Sequence, residues 1–472
     1  MSDSKQDALL VGAGQADITP AMGIQIAGDI GRYRPVEQIR DPLYARAVVV
    51  RRGDKTLAIL TADVISITRA FADRIRRRAA KILATEPAAI LCHATQTHSA
   101  PFVGNAMITD DYPFPADLWW LRGGDERYNE PFVRGMLQAV EQAKNSLQPA
   151  SLKAGRGIDG RMAFNRRYIM RDGTGRDHPG RCDPNILRPE GPADPEVGAA
   201  VFSAAAGGKA VAALLHHTCH PGHGFPFRWI SADWPGFWGE GVRGLLGGNC
   251  VSPVLNGFCG NILHGNPLDP DHRSNIYLMG ERLMETTRRI LPDMKPLSAA
   301  PLAWNSRMLR IPFRKLPPGD VARAKAFVKK HPDPIWTDES RTNVEWDWVY
   351  SHATLDLARQ QKKQSWYDYE VQVLRIGDLA VVGCPGEPFV EGQLDIKLQS
   401  PAALTLVAHM CNDADGYQPT RLAFKYGGYE TRVSNWSRLD ESALETATAS
   451  AKAMLLDIFR SGEKPAPRHE HR

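Results

Sequence analysis

An apolar run, Ala89-Ile90-Leu91-Cys92, leads two residues later into the polar segment Thr95-Gln96-Thr97-His98-Ser99-Ala100-Pro101. A short apolar run that ends in small polar residues and a proline is typical of a buried strand leaving a sheet. Open α/β sheets build their functional sites at that edge. The segment therefore predicts a sheet protein that displays His98 at a strand end. Taken alone, it is also compatible with a polar turn that carries an ordinary histidine.

On both sides of this segment, apolar runs alternate with helix-like stretches, which is typical of an α/β domain. We predict a mixed central sheet with helices packed on it. Strands are expected at 8–11, 45–50, 56–64, 89–92, 151–155, 199–203 and 211–216, with a hairpin formed by 369–376 and 379–382. Helices are expected at 67–84, 131–145, near 238–246 and at 441–459.

The domain organisation follows from the same pattern. The charged stretch 317–366 contains Trp336, Trp346 and Trp348 and predicts a helical insertion. No linker interrupts the alternation, so residues 8–460 are predicted to form a single domain. Residues 461–472 are polar and contain prolines, which predicts a disordered tail.

Composition excludes several classes of function. The chain has 472 residues, of which 43% are hydrophobic and 24% are charged, and its formal net charge is +5. This is an ordinary balance for a soluble globular protein. The basic run Arg74-Ile75-Arg76-Arg77-Arg78 fits the solvated face of a helix. Because no dense basic stripe is interleaved with aromatics, we expect no nucleic-acid partner.

The sequence also indicates a compartment. The first seven residues lack an apolar region, and no apolar stretch approaches about 18 residues, so we expect neither a signal peptide nor membrane insertion. The seven cysteines are scattered and include no Cys-x-x-Cys pair. They are better explained as buried free thiols in a reducing cytoplasm than as a disulfide framework or a zinc ribbon.

One familiar motif can be set aside. Gly12-Ala13-Gly14 follows an apolar run, as in a dinucleotide-binding loop. The third glycine is absent, and Asp17-Ile18-Thr19-Pro20 breaks the helix that such a loop needs to hold a pyrophosphate. The segment is therefore not expected to bind a nucleotide.

A second polar segment also follows a strand-like run. His216-His217-Thr218-Cys219-His220-Pro221-Gly222-His223 holds four of the 14 histidines of the chain. Histidine is the commonest neutral metal ligand in proteins, so the cluster indicates metal binding. Local hydrogen bonding at a strand end could explain three of the four.

Two more segments repeat the pattern. Glu387 follows the apolar run 379–382 and is directly preceded by Cys384-Pro385-Gly386. A partly buried carboxylate at this position needs a cation, either a metal or an arginine. After the apolar run 404–410, Tyr417 and Tyr429 each follow a glycine, twelve residues apart, and could either share a loop or simply pack. Four strand ends that supply His, His, Glu and Tyr predict a metal site, and this N/O ligand set suits zinc with a position left for water.

The order of these motifs resembles the neutral/alkaline (non-lysosomal) ceramidases, specifically their N-terminal zinc-hydrolase domain. The resemblance runs from about residue 10 to residue 459. It is carried by short motifs in order: Gly14-Gln15-Ala16-Asp17-Ile18-Thr19-Pro20, Asp41-Pro42-Leu43-Tyr44-Ala45-Arg46-Ala47, Ala62-Asp63, Thr97-His98-Ser99-Ala100-Pro101, Asn165-Arg166-Arg167, Cys219-His220-Pro221, Ser231-Ala232-Asp233-Trp234-Pro235-Gly236, Pro385-Gly386-Glu387 and the Tyr417/Tyr429 pair.

The resemblance implies a set of site residues. The zinc ligands fall on His220, Glu387 and Tyr417, together with the position of Gln96. The substrate-polarising arginine corresponds to Arg166. The remaining substrate residues are expected at His98 and Tyr429, while His223, Asp233 and His264 are expected near the site without an assigned role.

Two departures from the family pattern affect this expectation. The family has Thr-His-Thr-His-Ser-Gly-Pro where this chain has residues 95–101, so Gln96 stands in place of a zinc-binding histidine. An amide oxygen is a weaker ligand, so zinc could be bound less tightly, be replaced by another divalent metal or be lost, and His98 could compensate. The immunoglobulin-like C-terminal domain of full ceramidases is also missing, so we do not expect ceramide extraction from membranes.

The resulting prediction is a metal-dependent hydrolase. A metal-bound water would attack the amide bond of a small soluble N-acyl substrate, with Arg166, Tyr429 and His98 assisting. The alternatives are an esterase, lactonase or carbohydrate-directed hydrolase on the same scaffold, and a binding protein that has lost its metal. Phe114, Trp119 and Trp120 could line the entrance or pack in the core. The oligomeric state is left open.

Overall fold

The computed structural model describes residues 8–460 and contains, in that range, 22 strands and nine α-helices. The strands are β1 (Leu10–Asp17), β2 (Gln38–Ile39), β3 (Tyr44–Arg52), β4 (Lys55–Ala62), β5 (Ile90–Ala94), β6 (Gln148–Ile158), β7 (Phe164–Asn165), β8 (Arg167–Met170), β9 (Gly175–Asp177), β10 (Ile186–Pro189), β11 (Glu196–Ala204), β12 (Ala210–His217), β13 (Trp229–Ile230), β14 (Val254–Asn256), β15 (Ile262–Leu263), β16 (Lys295–Leu297), β17 (Leu302–Pro312), β18 (Trp366–Ile376), β19 (Leu379–Gly383), β20 (Glu387–Pro388), β21 (Leu404–Ala408) and β22 (Tyr417–Gln418). The helices are α1 (Arg69–Leu83), α2 (Glu126–Asn145), α3 (Asp233–Leu245), α4 (Ile276–Asp293), α5 (Pro318–Lys330), α6 (Trp346–Lys363), α7 (Val390–Gln399), α8 (Arg421–Tyr426) and α9 (Ala443–Arg460).

The central sheet has nine strands and is mixed, as predicted. Its order is β14-β12-β11-β6-β1-β3-β4-β5, with β16 paired to β6. Two neighbouring pairs, β4–β5 and β12–β14, are parallel, and the other pairs are antiparallel. β5 and β12 are the strands that lead into the two histidine-bearing segments.

The side-chain alternation of β3 shows how the layers are arranged. Ala47 and Val49 pack with residues of α1 and α2 on one face of the central sheet. Val48 and Val50 face the other way and join a core cluster that includes residues of β18, β19 and β21. Those strands belong to a smaller sheet with the order β17-β18-β19-β21. Its far side packs against α9, so the layers run helix, sheet, sheet, helix.

The predicted hairpin and helical insertion are both present. β18 and β19 pair antiparallel across a tight turn, where Gly377 adopts a φ of 59°, a left-handed conformation that favours glycine. The segment 317–366 contains α5 and α6, which pack against each other, and Trp348 of α6 is fully buried. Residues 461–472, predicted to be a disordered tail, lie outside the described residues.

The glycines that imitate a dinucleotide-binding motif have a packing role. Gly12 and Gly14 lie within β1, which pairs with β3 along its whole length. A Cβ atom at Gly12 would lie 2.0 Å from the carbonyl oxygen of Ala143, and one at Gly14 would lie 2.2 Å from that of Ala139. Both carbonyls belong to α2, so these glycines allow the helix to approach the sheet closely. Between residues 8 and 460, no helix combines the length and apolar character needed to cross a membrane.

Candidate active site

Four strand ends meet at one cleft. The segments that follow β5, β12, β19 and β21 carry the residues that the sequence singled out. The Nε2 atom of His220 lies 3.1 Å from Oε2 of Glu387, and the ring centroids of His220 and His98 are 5.4 Å apart. Tyr417 lies opposite Glu387 in the short parallel pair formed by β20 and β22. The sequence-predicted residues are thus brought together from distant parts of the chain.

The backbone fixes Glu387 beside Tyr417. The amide of Glu387 donates a 2.6 Å hydrogen bond to the carbonyl of Gly416. Gly386 has a φ of 64°, and a Cβ atom there would lie 2.3 Å from the Gly416 oxygen. A residue with a side chain at position 386 would therefore force the two site strands apart. The glycine of Pro385-Gly386, before the glutamate, is therefore required for the close approach of the two strands.

The two cleft histidines are held in the same tautomer. Nδ1 of His98 lies 2.9 Å from the carbonyl oxygen of Gly28, and Nδ1 of His220 lies 2.7 Å from that of Cys259. A carbonyl only accepts, so Nδ1 carries the proton in both rings and Nε2 keeps a lone pair. Burial lowers the pKa of His98 to about 3 and also lowers the pKa of His220, so both imidazoles are neutral. Neutral imidazoles are the form that binds metals.

Three cleft atoms that carry lone pairs lack a hydrogen-bond partner among the described residues. They are Nε2 of His98, Nε2 of His220 and Oε2 of Glu387, and all three are buried. With the His220 proton on Nδ1, its Nε2 and the Glu387 oxygen face each other with lone pairs. Unsatisfied buried polar atoms are rare and call for an explanation, such as an ion.

Glu387 is a carboxylate despite its burial. Burial alone would raise the pKa of Glu387, while the positive charge of Arg166 and a hydrogen bond from the amide of Gln96 lower it. Oε1 of Gln96 in turn accepts a 3.4 Å contact from the thiol of Cys259. Gln96 adopts a φ of 70°, a left-handed conformation uncommon outside glycine. In this arrangement Gln96 holds the Glu387 carboxylate in place.

A buried ion-pair network supports the other wall of the cleft. Nη2 of Arg166 donates to the hydroxyl of Tyr417 at 3.1 Å, and Nε of Arg166 donates to Glu430 at 2.9 Å. Glu430 is fully buried and also pairs with Arg167. The ring of Tyr429 meets that of Tyr417 edge-on, 5.6 Å away. Sequence reasoning missed Glu430, although its position next to Tyr429 and the need of two adjacent arginines for carboxylates were available signals.

The residue set fits a divalent cation centred on His220 and Glu387. Within residues 8–460, no three His, Cys, Asp or Glu side chains cluster as a metal site. The predicted ligands include only two residues of those types, since the others are Gln96 and Tyr417. A cation at this point would satisfy the two facing atoms, and the Tyr417 hydroxyl would be a further ligand.

Comparison of the whole chain with solved structures then decides the fold. The neutral ceramidase from Pseudomonas aeruginosa superposes with a TM-score of 0.72 at 18% sequence identity, over 98% of this chain and 77% of that chain. A ceramidase complexed with C2 matches with a TM-score of 0.70 at 16% identity, with the same coverage. The chain has the neutral-ceramidase fold. No protein-family model matches the sequence. No curated protein sequence matches it either.

The cleft of this neutral-ceramidase fold has two connected parts. A small inner chamber of about 90 Å³ is lined by Gln96, Glu387 and apolar residues such as Phe102 and Met410. An outer cavity of about 350 Å³ is lined by Arg166, His220 and residues that include Phe225 and Trp346. Both parts share the side chains of His98, Tyr417 and Tyr429 as walls. Two of the predicted catalytic residues, His98 and Tyr429, therefore line both parts, and Arg166 lines the outer part.

Several other residues that the sequence suggested as ligands or entrance residues stabilise this neutral-ceramidase fold instead. His216 and His217 are buried, and their rings bind the backbone carbonyls of Val407 at 2.9 Å and Glu196 at 3.1 Å. Two of the four clustered histidines thus hydrogen-bond to the backbone at the strand end, whereas local hydrogen bonding had been considered for three. The mostly buried Trp120 packs against Tyr33 within a core cluster. Phe114, which packs against Trp348, and Trp119 are partly buried at the edge of that cluster.

Proposed function

We propose that the protein is a metal-dependent hydrolase that cleaves the amide bond of a small N-acyl substrate. The observation that carries this proposal is the facing pair of buried donor atoms, His220 Nε2 and Glu387 Oε2, 3.1 Å apart and without other partners in residues 8–460. The neutral-ceramidase fold supports the amide bond as the target. Zinc suits this nitrogen and oxygen ligand set, and Tyr417 would complete it with Gln96.

When bound, the metal would supply Lewis acidity and lower the pKa of a bound water. The protein itself supplies orientation. Arg166 keeps its charge because Tyr417 and Glu430 surround it, and it faces the outer cavity together with Tyr429. These two donors would hold the acyl oxygen of the substrate and stabilise the negative charge that develops there.

His98 would move the proton to the leaving amine. Its Nδ1 proton is fixed by the Gly28 carbonyl, so Nε2 is the atom that can receive a proton inside the cleft. Because burial makes this imidazole a weak base, with a pKa of about 3, it would hold the proton only briefly and pass it on. His98 thus serves as a proton carrier, and the catalytic set is His98, Arg166 and Tyr429.

The outer cavity supports a small substrate. Its volume of about 350 Å³ and its apolar walls, which include Ile30, Phe225 and Leu263, suit a short acyl chain. A small molecule is therefore the proposed partner. The seven cysteines form no disulfide, which supports the reducing cytoplasm predicted from the sequence.

The proposal is tested by metal analysis of the purified protein, followed by an activity screen. We expect close to one divalent ion per chain, and hydrolysis of short N-acyl amides that stops on chelation and returns on addition of Zn²⁺. Hydrolysis of esters or lactones alone would favour the esterase alternative. A protein that has neither bound metal nor hydrolytic activity would favour the binding alternative and overturn the proposal.

A further inference from the structure

A second cluster of chemically competent side chains lies beside the cleft. Nδ1 of His223 is 2.7 Å from Oδ1 of Asp233, and Nε2 of the same ring is 2.8 Å from Oγ of Ser274. The carboxylate fixes the proton on Nδ1, so Nε2 accepts from the serine hydroxyl. A hydroxyl, an imidazole and a carboxylate in this order form the arrangement that activates serine nucleophiles.

The acid and the base of this cluster are held rigidly. Asp233 is fully buried, and its Oδ2 accepts the backbone N–H of His223 at 2.9 Å. Burial would raise the pKa of Asp233, but the adjacent His223 brings it below its usual value, so the carboxylate is ionised. The ring of His264 stacks on that of His223 with centroids 3.6 Å apart and an interplanar angle of 15°. These contacts leave the imidazole a single orientation, toward Ser274.

The backbone at Asp233 adopts an uncommon left-handed conformation. Its φ is 54°, in the left-handed region that an aspartate adopts far less often than glycine does. This conformation begins helix α3 and turns the carboxylate back toward His223. Strained residues of this kind concentrate at functional sites.

Ser274 is accessible from a cavity next to the cleft. The cavity measures about 340 Å³, and its walls include Ser274, His264 and Arg181. Arg166, His178, Leu263 and His264 line both this cavity and the outer part of the cleft. Arg181 donates to the carbonyls of Pro270 and His272 and forms no ion pair within the described part of the chain. Arg181 therefore brings a positive charge, without a carboxylate partner among residues 8–460, to the cavity that Ser274 lines.

We propose that Ser274, His223 and Asp233 are a second, metal-independent catalytic centre that hydrolyses small carboxylic esters. Ser274 Oγ bonds to the ester carbonyl carbon while its proton passes to Nε2 of His223. The bond to the alcohol oxygen breaks, and His223 returns the proton to that oxygen. Water then adds to the acyl-serine, again losing a proton to His223, and the acid leaves as the protonated serine is restored.

This centre is distinct from the proposed metal site, because it shares no residue with the predicted ligands. Asp233 does not touch the reacting atoms and acts as a positioning residue through His223. The inference goes beyond the proposed amide hydrolysis and does not depend on it.

The experiment is covalent labelling with a fluorophosphonate, which bonds to an activated serine oxygen as the P–F bond breaks and fluoride and the serine proton are released. The full chain is labelled in EDTA, and the modified peptide is identified by mass spectrometry. We expect one adduct, on Ser274, and p-nitrophenyl acetate hydrolysis that survives in EDTA. Ser274→Ala should lack the adduct and lose at least about a hundredfold in ester hydrolysis. No adduct on folded protein, or an adduct elsewhere, overturns the proposal.

Three further variants separate chemistry from folding. Ser340→Ala removes a hydroxyl in the loop between α5 and α6 that binds Asp338, and it should label at the rate of the unmodified protein. His223→Ala should label at least about a hundred times more slowly. Asp233→Asn should slow labelling per folded molecule, with the folded fraction measured by near-UV circular dichroism. An unchanged rate per folded Asp233→Asn molecule would show a purely structural role and contradict the proposal.

Glu387→Ala, which would disable the metal site, should label normally on Ser274. Loss of labelling in this variant or in EDTA would show that the serine centre depends on the metal, and would overturn its independence. Loss of amide hydrolysis alone in Glu387→Ala concerns only the function proposed above. The two proposals therefore fail separately.

Discussion

The segment after β12 sends two histidines, three residues apart, into neighbouring clusters with opposite hydrogen-bonding states. His220 meets Glu387 with facing lone pairs, and both atoms lack a partner in residues 8–460. His223 has both ring nitrogens satisfied, by Asp233 and by Ser274. An incomplete cluster needs something from outside, such as a cation, to become stable. A complete cluster already contains the proton donor and acceptor that it uses.

The largest effect is expected for Glu387→Ala, which removes one of the two facing groups of the incomplete cluster. Without its carboxylate, His220 is the only remaining predicted ligand that is a histidine or an acid, so we expect loss of the bound metal. Amide hydrolysis should fall at least about a thousandfold, because the metal activates the water. Metal content by mass spectrometry and hydrolysis rates check this prediction.

The matched control for that variant is Glu391→Gln. Glu391 is a partly buried carboxyl group four residues along the chain, and it accepts from the side chain of Asn261 at 2.9 Å. This variant should keep its metal. Equal metal loss in both variants would mean that burial of a carboxylate, rather than the Glu387 position, controls metal binding.

The sequence predicted the layers of this fold well, because they depend on local patterns. The predicted runs 45–50 and 211–216 lie fully within the buried strands β3 and β12, and the runs 56–64 and 89–92 overlap most of β4 and β5, because periodicity is a direct signal of buried strands. The four strand-end segments were also recognisable, because glycine and proline residues follow the apolar runs there. The meeting of Glu387 and Tyr417 in a two-stranded parallel pair was not visible as a contact in the sequence.

The roles of individual histidines were less predictable, because they depend on distant backbone atoms. His216 and His217 look like ligands in a cluster of four, but their partners are carbonyls of Val407 and Glu196. The same reason hid Ser274, which lies 51 residues beyond His223 in the chain. Short-range sequence patterns contain no information on such pairings.

Tyr429→Phe tests the proposed stabilisation of the oxyanion without changing His220 or Glu387. The variant removes one hydroxyl from the wall shared by both parts of the cleft. Loss of one donor to a developing oxyanion typically costs about 2.7–4 kcal/mol, so kcat for amide hydrolysis should fall about 10²–10³-fold. Metal content should stay the same. A rate unchanged within a factor of two would remove Tyr429 from the catalytic set.

Gln96→His adds a further imidazole to the incomplete cluster of His220 and Glu387, and so tests whether that cluster binds a metal. Histidine tolerates a left-handed backbone better than most residues, so position 96 can accept it. A further imidazole should tighten metal binding by about 10–100-fold, the range seen when metal surroundings change. Competition with a chelator of known affinity measures the change. Weaker binding would show that the present hold of Gln96 on Glu387 matters more than an added ligand.

The smallest expected effect concerns a histidine far from both clusters. Burial lowers the pKa of His352 to about 4, and its Nδ1 lies 3.1 Å from the hydroxyl of Tyr112. Because its folded pKa lies below the unfolded value of 6.5, its contribution to stability is full above pH 6.5 and is lost as the pH falls through 4. His352→Phe should keep the packing on Trp348 and show a shallower loss of stability between pH 6.5 and 4.

Urea unfolding at several pH values checks this prediction. The control is His178→Asn, because the His178 side chain is 46% exposed and contacts the Asp177 carboxylate at 2.7 Å rather than an aromatic ring. If His352→Phe and the unmodified protein lose stability in parallel across this range, His352 does not contribute to acid sensitivity.

Trp346, at the start of helix α6, lines the outer cavity, and its ring lies 6.2 Å from that of Tyr429. The helical insertion therefore forms part of the entrance, while the reactive groups come from the ends of sheet strands. In the proposed enzyme, this division would separate the choice of substrate from the reaction itself. Insertions, deletions or substitutions around α5 and α6 can give descendants of this chain new substrates while the strand ends stay unaltered.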